Sequence, residues 1–119
     1  MLHAWKAGPQ TVALRRQLTD MKDGGVVVMS IPLAPYRCPP GPYERVSMVA
    51  AYVKKAKPRS KVLLLDANPD VTSKGPLFKR AWSELYPGIV EYRGGAKVVA
   101  VEAGAVRTEF DTVKGDVLN

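Results

Sequence analysis

A second cysteine is missing from this sequence: of 119 residues only Cys38 carries a thiol, and His3 is the single histidine. One sulfur excludes an internal disulfide, and one cysteine with one histidine falls short of a protein zinc site, so no metal is expected. Long apolar runs are absent too. Nothing approaches the roughly eighteen apolar residues of a membrane-spanning helix, and the opening MLHAWKAGPQ has neither the charged start nor the apolar centre of an export signal. Acidic residues are few, eleven against eighteen Lys and Arg, for a net charge of +7, which suits an acidic or anionic partner. The basic residues are scattered, however. The densest group, Lys54, Lys55, Lys57, Arg59 and Lys61, straddles an expected helix end, where the helix dipole favours cations. No aromatic ladder or groove-reading motif accompanies it, so nucleic acid is not expected as a partner.

What is there reads as one domain spanning 1–119. Gly8 and Pro9 start a helix in which Leu14, Leu18 and Met21 recur at helical spacing, and DGG at 23–25 ends it. VVVMSI is a continuous apolar run rich in β-branched residues, the pattern of a parallel strand covered on both faces. Val46, Val49, Ala50 and Val53 then mark the apolar stripe of a helix from about residue 42 to 55. KVLLLD is a second buried strand, which completes a βαβ unit. Pro76 opens a third helix with Leu77, Phe78, Ala81, Trp82 and Leu85 on one face, so Phe78 and Trp82 are read as core.

The pattern then shortens. IVEYR, KVVAVEA and AVRTEFDT are separated by GG and AG, and the last alternates Val106, Thr108, Phe110 and Thr112 against Arg107, Glu109 and Asp111, which predicts antiparallel ribbons. The closing DVLN reads as the start of another strand, so the chain is expected to be a fragment whose open strand edge favours self-association. The fold class is therefore α/β: a Rossmann-like three-layer domain with a parallel sheet and an appended antiparallel β-meander.

The loop after the first strand is the unusual segment. A dinucleotide-binding unit places glycines here so that backbone N–H groups approach a pyrophosphate. This loop reads SIPLAPYRCPPGPYER. Pro32, Pro35, Pro39, Pro40 and Pro42 lack the N–H that such a cradle uses, leaving only Gly41. Asp66 ends the second strand where a ribose-binding acid would sit, or else bonds nearby backbone amides in the DANPD turn. Cys38 lies a few residues before a helix N-terminus, with Arg37 and Arg45 nearby in sequence, a setting that favours thiolate. The alternative is a buried cysteine acting as a small hydrophobe. With Gly41 as N-cap and Pro42 at N1, Glu44 falls at N3 and can reach back to the cap.

HAWKAGPQT, RCPPGPYER, the KVLLLD strand and the FKRAWSELY helix together resemble the flavoprotein subunit of flavocytochrome c sulfide dehydrogenase. RCPPGPYER is the most specific of these, and the similarity spans essentially the whole chain. The resemblance implies that this is the second nucleotide-type domain of an FAD-dependent oxidoreductase, with FAD in the full-length parent and haem c on a c-type cytochrome subunit. Sulfide is the implied substrate and the periplasm the implied location. Cys38 matches one half of a redox-active disulfide whose other half lies in a later segment of the family's chain. Glu44, six residues after it, resembles the family's active-site glutamate, with a proton-handling role beside the capping one. No cofactor-binding residue and no site role for Trp5 or Lys6 follow. The isolated chain is expected to be inactive and to hold no FAD. Two other readings stand beside this one: a sulfide:quinone oxidoreductase-like domain, and a non-catalytic α/β binding module with an inert, buried Cys38.

Overall fold

The computed structural model describes residues 1–3 and 6–119; Trp5 lies outside the described residues. Ten elements follow one another: α1 (Pro9–Asp20), β1 (Val26–Ile31), α2 (Gly41–Ala56), β2 (Lys61–Asp66), α3 (Gly75–Leu85), β3 (Val90–Arg93), β4 (Val98–Glu102), β5 (Ala105–Thr108), β6 (Thr112–Lys114) and β7 (Val117–Leu118).

The expected α/β class is found. Four parallel strands form one sheet in the order β3-β2-β1-β7, and β4-β5-β6 form a separate antiparallel sheet. Strand alternation assigns the two faces. Val27, Met29 and Ile31 of β1, with Val62 and Leu64 of β2, pack against Leu14 of α1, Val46, Val49, Ala50 and Val53 of α2, and Phe78 and Trp82 of α3. The intervening Val28, Leu63 and Leu65 pack with Leu118 against Val106 and Val113 of the antiparallel ribbons. Both faces are thus covered, which is why β1 and β2 are continuously apolar.

Four expectations change. IVEYR belongs to the parallel sheet, because Val90 to Arg93 pair with β2 from Val62 to Leu65. AVRTEFDT is not one strand: Thr108 accepts the amides of Phe110 and Asp111 at its Oγ1, 3.2 and 3.1 Å away, and this turn splits β5 from β6. Phe110, expected to share a strand face with Val106, Thr108 and Thr112, sits on that turn and is 83% exposed. Leu77 and Leu85 are exposed as well, since the face of α3 that meets the sheet is the narrower one through Phe78 and Trp82.

DVLN does form a strand. β7 lies parallel beside β1, with Val117 opposite Val27 and Leu118 opposite Val28. Its outer edge is partly covered rather than open, because the Leu2 amide donates to the Leu118 carbonyl at 3.1 Å and Asn119 Nδ2 donates to the Leu2 carbonyl. The basic cluster is likewise put to structural use. Lys57 Nζ donates to the Thr19 carbonyl at 2.8 Å and to that of Met21, Lys54 Nζ donates to the Leu85 carbonyl at 2.8 Å, and Arg59 pairs with Asp23 at 2.9 Å.

Candidate functional site

An open α/β sheet forms its crevice where the strand order reverses, outside the carboxyl ends of the strands. Here the chain runs from β1 through β2 to β3 on one side and returns to β7 on the other, so that point lies between β1 and β7. A cleft of about 1080 Å³ opens there. Its walls include Ser30 and Ile31 at the end of β1, Arg37 and Cys38 of the proline-rich loop, Arg45 of α2 and Asn119 after β7.

Cys38 is exposed and has a positive φ of 56°. The reading of it as a buried apolar side chain therefore fails. A non-glycine residue in the left-handed region costs on the order of 1–2 kcal/mol and persists only where its surroundings hold it there. The restraint is a turn: the Cys38 carbonyl accepts the Gly41 amide at 2.9 Å across Pro39 and Pro40. Gly41 also leaves room for the sulfur: a Cβ there would stand 3.2 Å from Cys38 Sγ.

Helix α2 begins one residue earlier than its sequence suggests. Pro40 is the N-cap, so Glu44 falls at N4, its amide donating to the Pro40 carbonyl at 3.0 Å, and no side chain caps the helix. The expected Glu44 cap is thus not formed, because starting the helix at Gly41 moves the carboxylate one place beyond N3. Glu44 is exposed and outside the lining of the Cys38 cleft. Arg45 does reach that cleft, as its position one residue further around α2 requires. It is half-buried, and loss of water lowers its proton affinity from the ordinary guanidinium value, although a guanidinium keeps its charge. Among the described residues it pairs with no carboxylate, its one side-chain bond going to Asn119 Oδ1 at 3.3 Å.

Asp66 is fully buried and faces inward. One carboxylate oxygen accepts the Asn68 amide at 2.9 Å and Asn68 Nδ2 at 2.8 Å; the other accepts the hydroxyls of Tyr43 at 2.8 Å and Tyr92 at 3.1 Å. Of the two sequence readings the DANPD turn is the one found. Desolvation raises the pKa of both phenols well above the ordinary tyrosine value, and the neighbouring carboxylate adds to it. Asn68 also accepts the Ala34 amide at 2.9 Å and donates to the Pro32 carbonyl at 3.0 Å, so the strand-end turn grips the proline-rich loop.

These contacts decide what the pocket can hold. A flavin or nicotinamide dinucleotide needs free backbone N–H groups at the β1–α2 turn and an acid facing the ribose. Pro39, Pro40 and Pro42 have no N–H, the Gly41 N–H is bonded to Cys38, and both oxygens of Asp66 are occupied. The residues present do not fit a dinucleotide. They fit a small reactant that approaches an exposed thiol in a cleft also lined by Arg37 and Arg45.

Tyr36, Tyr43, Asn68, Thr72 and Tyr92 did not emerge from the sequence as parts of this region. Tyr43 had a signal, since it stands three residues before Val46 on the buried stripe and is itself 0% exposed. The rest are brought together by long-range contact. A family model described as the flavoprotein chain of flavocytochrome c sulfide dehydrogenase, central part, matches residues 11–119.

Proposed function

Because this chain belongs to the flavocytochrome c sulfide dehydrogenase flavoprotein family, we propose that it supplies Cys38 as one sulfur of a redox-active disulfide that oxidises sulfide. The observation that carries the proposal is the exposed Cys38, held at positive φ in the cleft at the strand-order reversal, where the dinucleotide cradle has been lost.

The second sulfur comes from outside this sequence, which has one cysteine. Hydrosulfide attacks one sulfur of the pair: a new S–S bond forms, the old one breaks, and the products are a persulfide on one cysteine and a thiolate on the other. Arg37 and Arg45 favour both the anionic nucleophile and the departing thiolate. Glu44, exposed on the first turn of α2, enters as the proton-handling group of the assembled site. FAD and the haem c of a c-type cytochrome partner belong to other parts of the complex, since the β1–α2 turn offers no cradle. The periplasm is the proposed location.

The test is sulfide-dependent reduction of a c-type cytochrome by the flavoprotein carrying this sequence, wild type beside Cys38→Ser. Loss of about a hundredfold or more in the variant is expected, because a covalent route is closed, and NADH should support no reduction in either protein. Wild-type sulfide rates in Cys38→Ser would overturn the reading, as would efficient reduction by NADH.

A further inference from the structure

The hydroxyls around the cysteine loop form an ordered chain. Tyr43 has one hydroxyl proton and gives it to Asp66 Oδ2 at 2.8 Å, since a carboxylate only accepts. Tyr43 Oη must then accept, and it takes the Thr72 amide at 3.0 Å and faces Thr72 Oγ1 at 3.2 Å. With the Thr72 hydroxyl proton directed at Tyr43, Thr72 Oγ1 accepts from the Tyr36 hydroxyl 2.8 Å away. The result runs in one direction, from Tyr36 to Thr72 to Tyr43 to Asp66, and donors aligned in this way polarise one another.

The two ends of this chain differ in burial. Asp66 and Tyr43 are fully buried in the sheet and helix core. Tyr36 is half-buried and belongs to the same loop as Cys38, two residues before it. Thr72, an exposed residue of the β2–α3 loop, joins them through contacts of 2.8 and 3.2 Å, shorter than the direct 3.5 Å approach of the Tyr36 and Tyr43 hydroxyls.

We propose that Thr72 is a positioning residue for Cys38: its hydroxyl couples the buried Asp66 to the cysteine loop and so holds the sulfur in the arginine-lined cleft. Thr72 makes no bond to the thiol and acts through Tyr36. This inference rests on the reading of Cys38 as the reactive sulfur. Without the link, Cys38 is free to relax from its left-handed backbone, and the sulfur turns out of the field of Arg37 and Arg45.

The experiment compares two thiol reagents on this chain, the dianionic 5,5′-dithiobis(2-nitrobenzoate) and the neutral 4,4′-dithiodipyridine. Exposure scales both rates together, whereas position among the arginines changes their ratio. Thr72→Val should lower the anionic-to-neutral ratio about fivefold, the size of a lost electrostatic attraction, and Thr72→Ser should restore it. An unchanged ratio in Thr72→Val, with wild-type Cys38 reactive, overturns the positioning role and leaves the cysteine reading intact. A reduced ratio that Thr72→Ser does not restore also overturns it. Wild-type Cys38 inert to both reagents overturns the cysteine reading itself, and the positioning role falls with it. Tyr36→Phe, which removes only a hydroxyl from a half-buried ring, should reproduce the Thr72→Val ratio and serves as the second variant should Thr72→Val fail to fold.

Discussion

The Tyr43 hydroxyl donates to the Asp66 carboxylate at 2.8 Å in the interior of the domain, with Tyr92 adding a second phenol to the same oxygen at 3.1 Å. A carboxylate satisfied by four neutral donors is exacting about its replacement. In Asp66→Asn the amide presents one oxygen and one donor group, so it serves either Asn68 or the two phenols but not both. A loss of about 2 kcal/mol in unfolding free energy is expected, measured by urea titration, while Tyr92→Phe should cost about 1 kcal/mol.

Alkali should act on the same pair. Burial raises both phenol pKa values above the ordinary value of about 10. Below that pH both states keep the phenolic proton and the stabilisation is fully present; above it the unfolded chain loses protons that the folded chain retains, so stability falls as pH rises. The urea midpoint should therefore drop between about pH 9 and about pH 11, and less so in Tyr92→Phe. Of the five tyrosines, Tyr43 and Tyr92 should show phenolate absorbance only as the chain unfolds.

Gly41→Ala tests the space beside the thiol. The new methyl would stand 3.2 Å from Cys38 Sγ, so the sulfur must move by a few tenths of an ångström while the helix gains a better former than glycine. The melting temperature should not fall. The rate of Cys38 labelling should drop severalfold, and a wild-type rate would show that the sulfur does not lie against Gly41.

Gly115→Ala tests the seating of the short strand β7 against β1. Its Cβ would lie 2.6 Å from Val28 Cγ2 and 3.1 Å from Leu118 Cδ2, an overpacking between β1 and β7 that should cost about 1–3 kcal/mol. Thermal unfolding of the variant measures it directly.

The parallel core was legible because VVVMSI and KVLLLD are buried on both faces, and such runs have few alternatives. IVEYR misled because the short β3 within it has a mixed pattern and carries no sign of which partner it chooses; pairing with β2 is settled by the crossover through α3. Phe110 misled because Thr108 and Asp111 form a local turn that overrides the alternation. Within the site, the missing cradle followed from the loop's prolines, while Cys38 was singled out by its place before a helix N-terminus and by the family resemblance. The Tyr36–Thr72 contact did not, since it joins positions 36 residues apart through two loops whose approach depends on the finished sheet.

The chain's two ends meet at Leu2 and Leu118, and Met1, Leu2, His3 and Asn119 all line the cleft that holds Cys38. Any polypeptide joined to either end is consequently tethered at the rim of the reactive pocket. A group carried a short distance along such a tether meets the thiol at an effective concentration in the millimolar range, without needing any affinity of its own. Encounter with Cys38 is in this sense a property of the chain's connectivity.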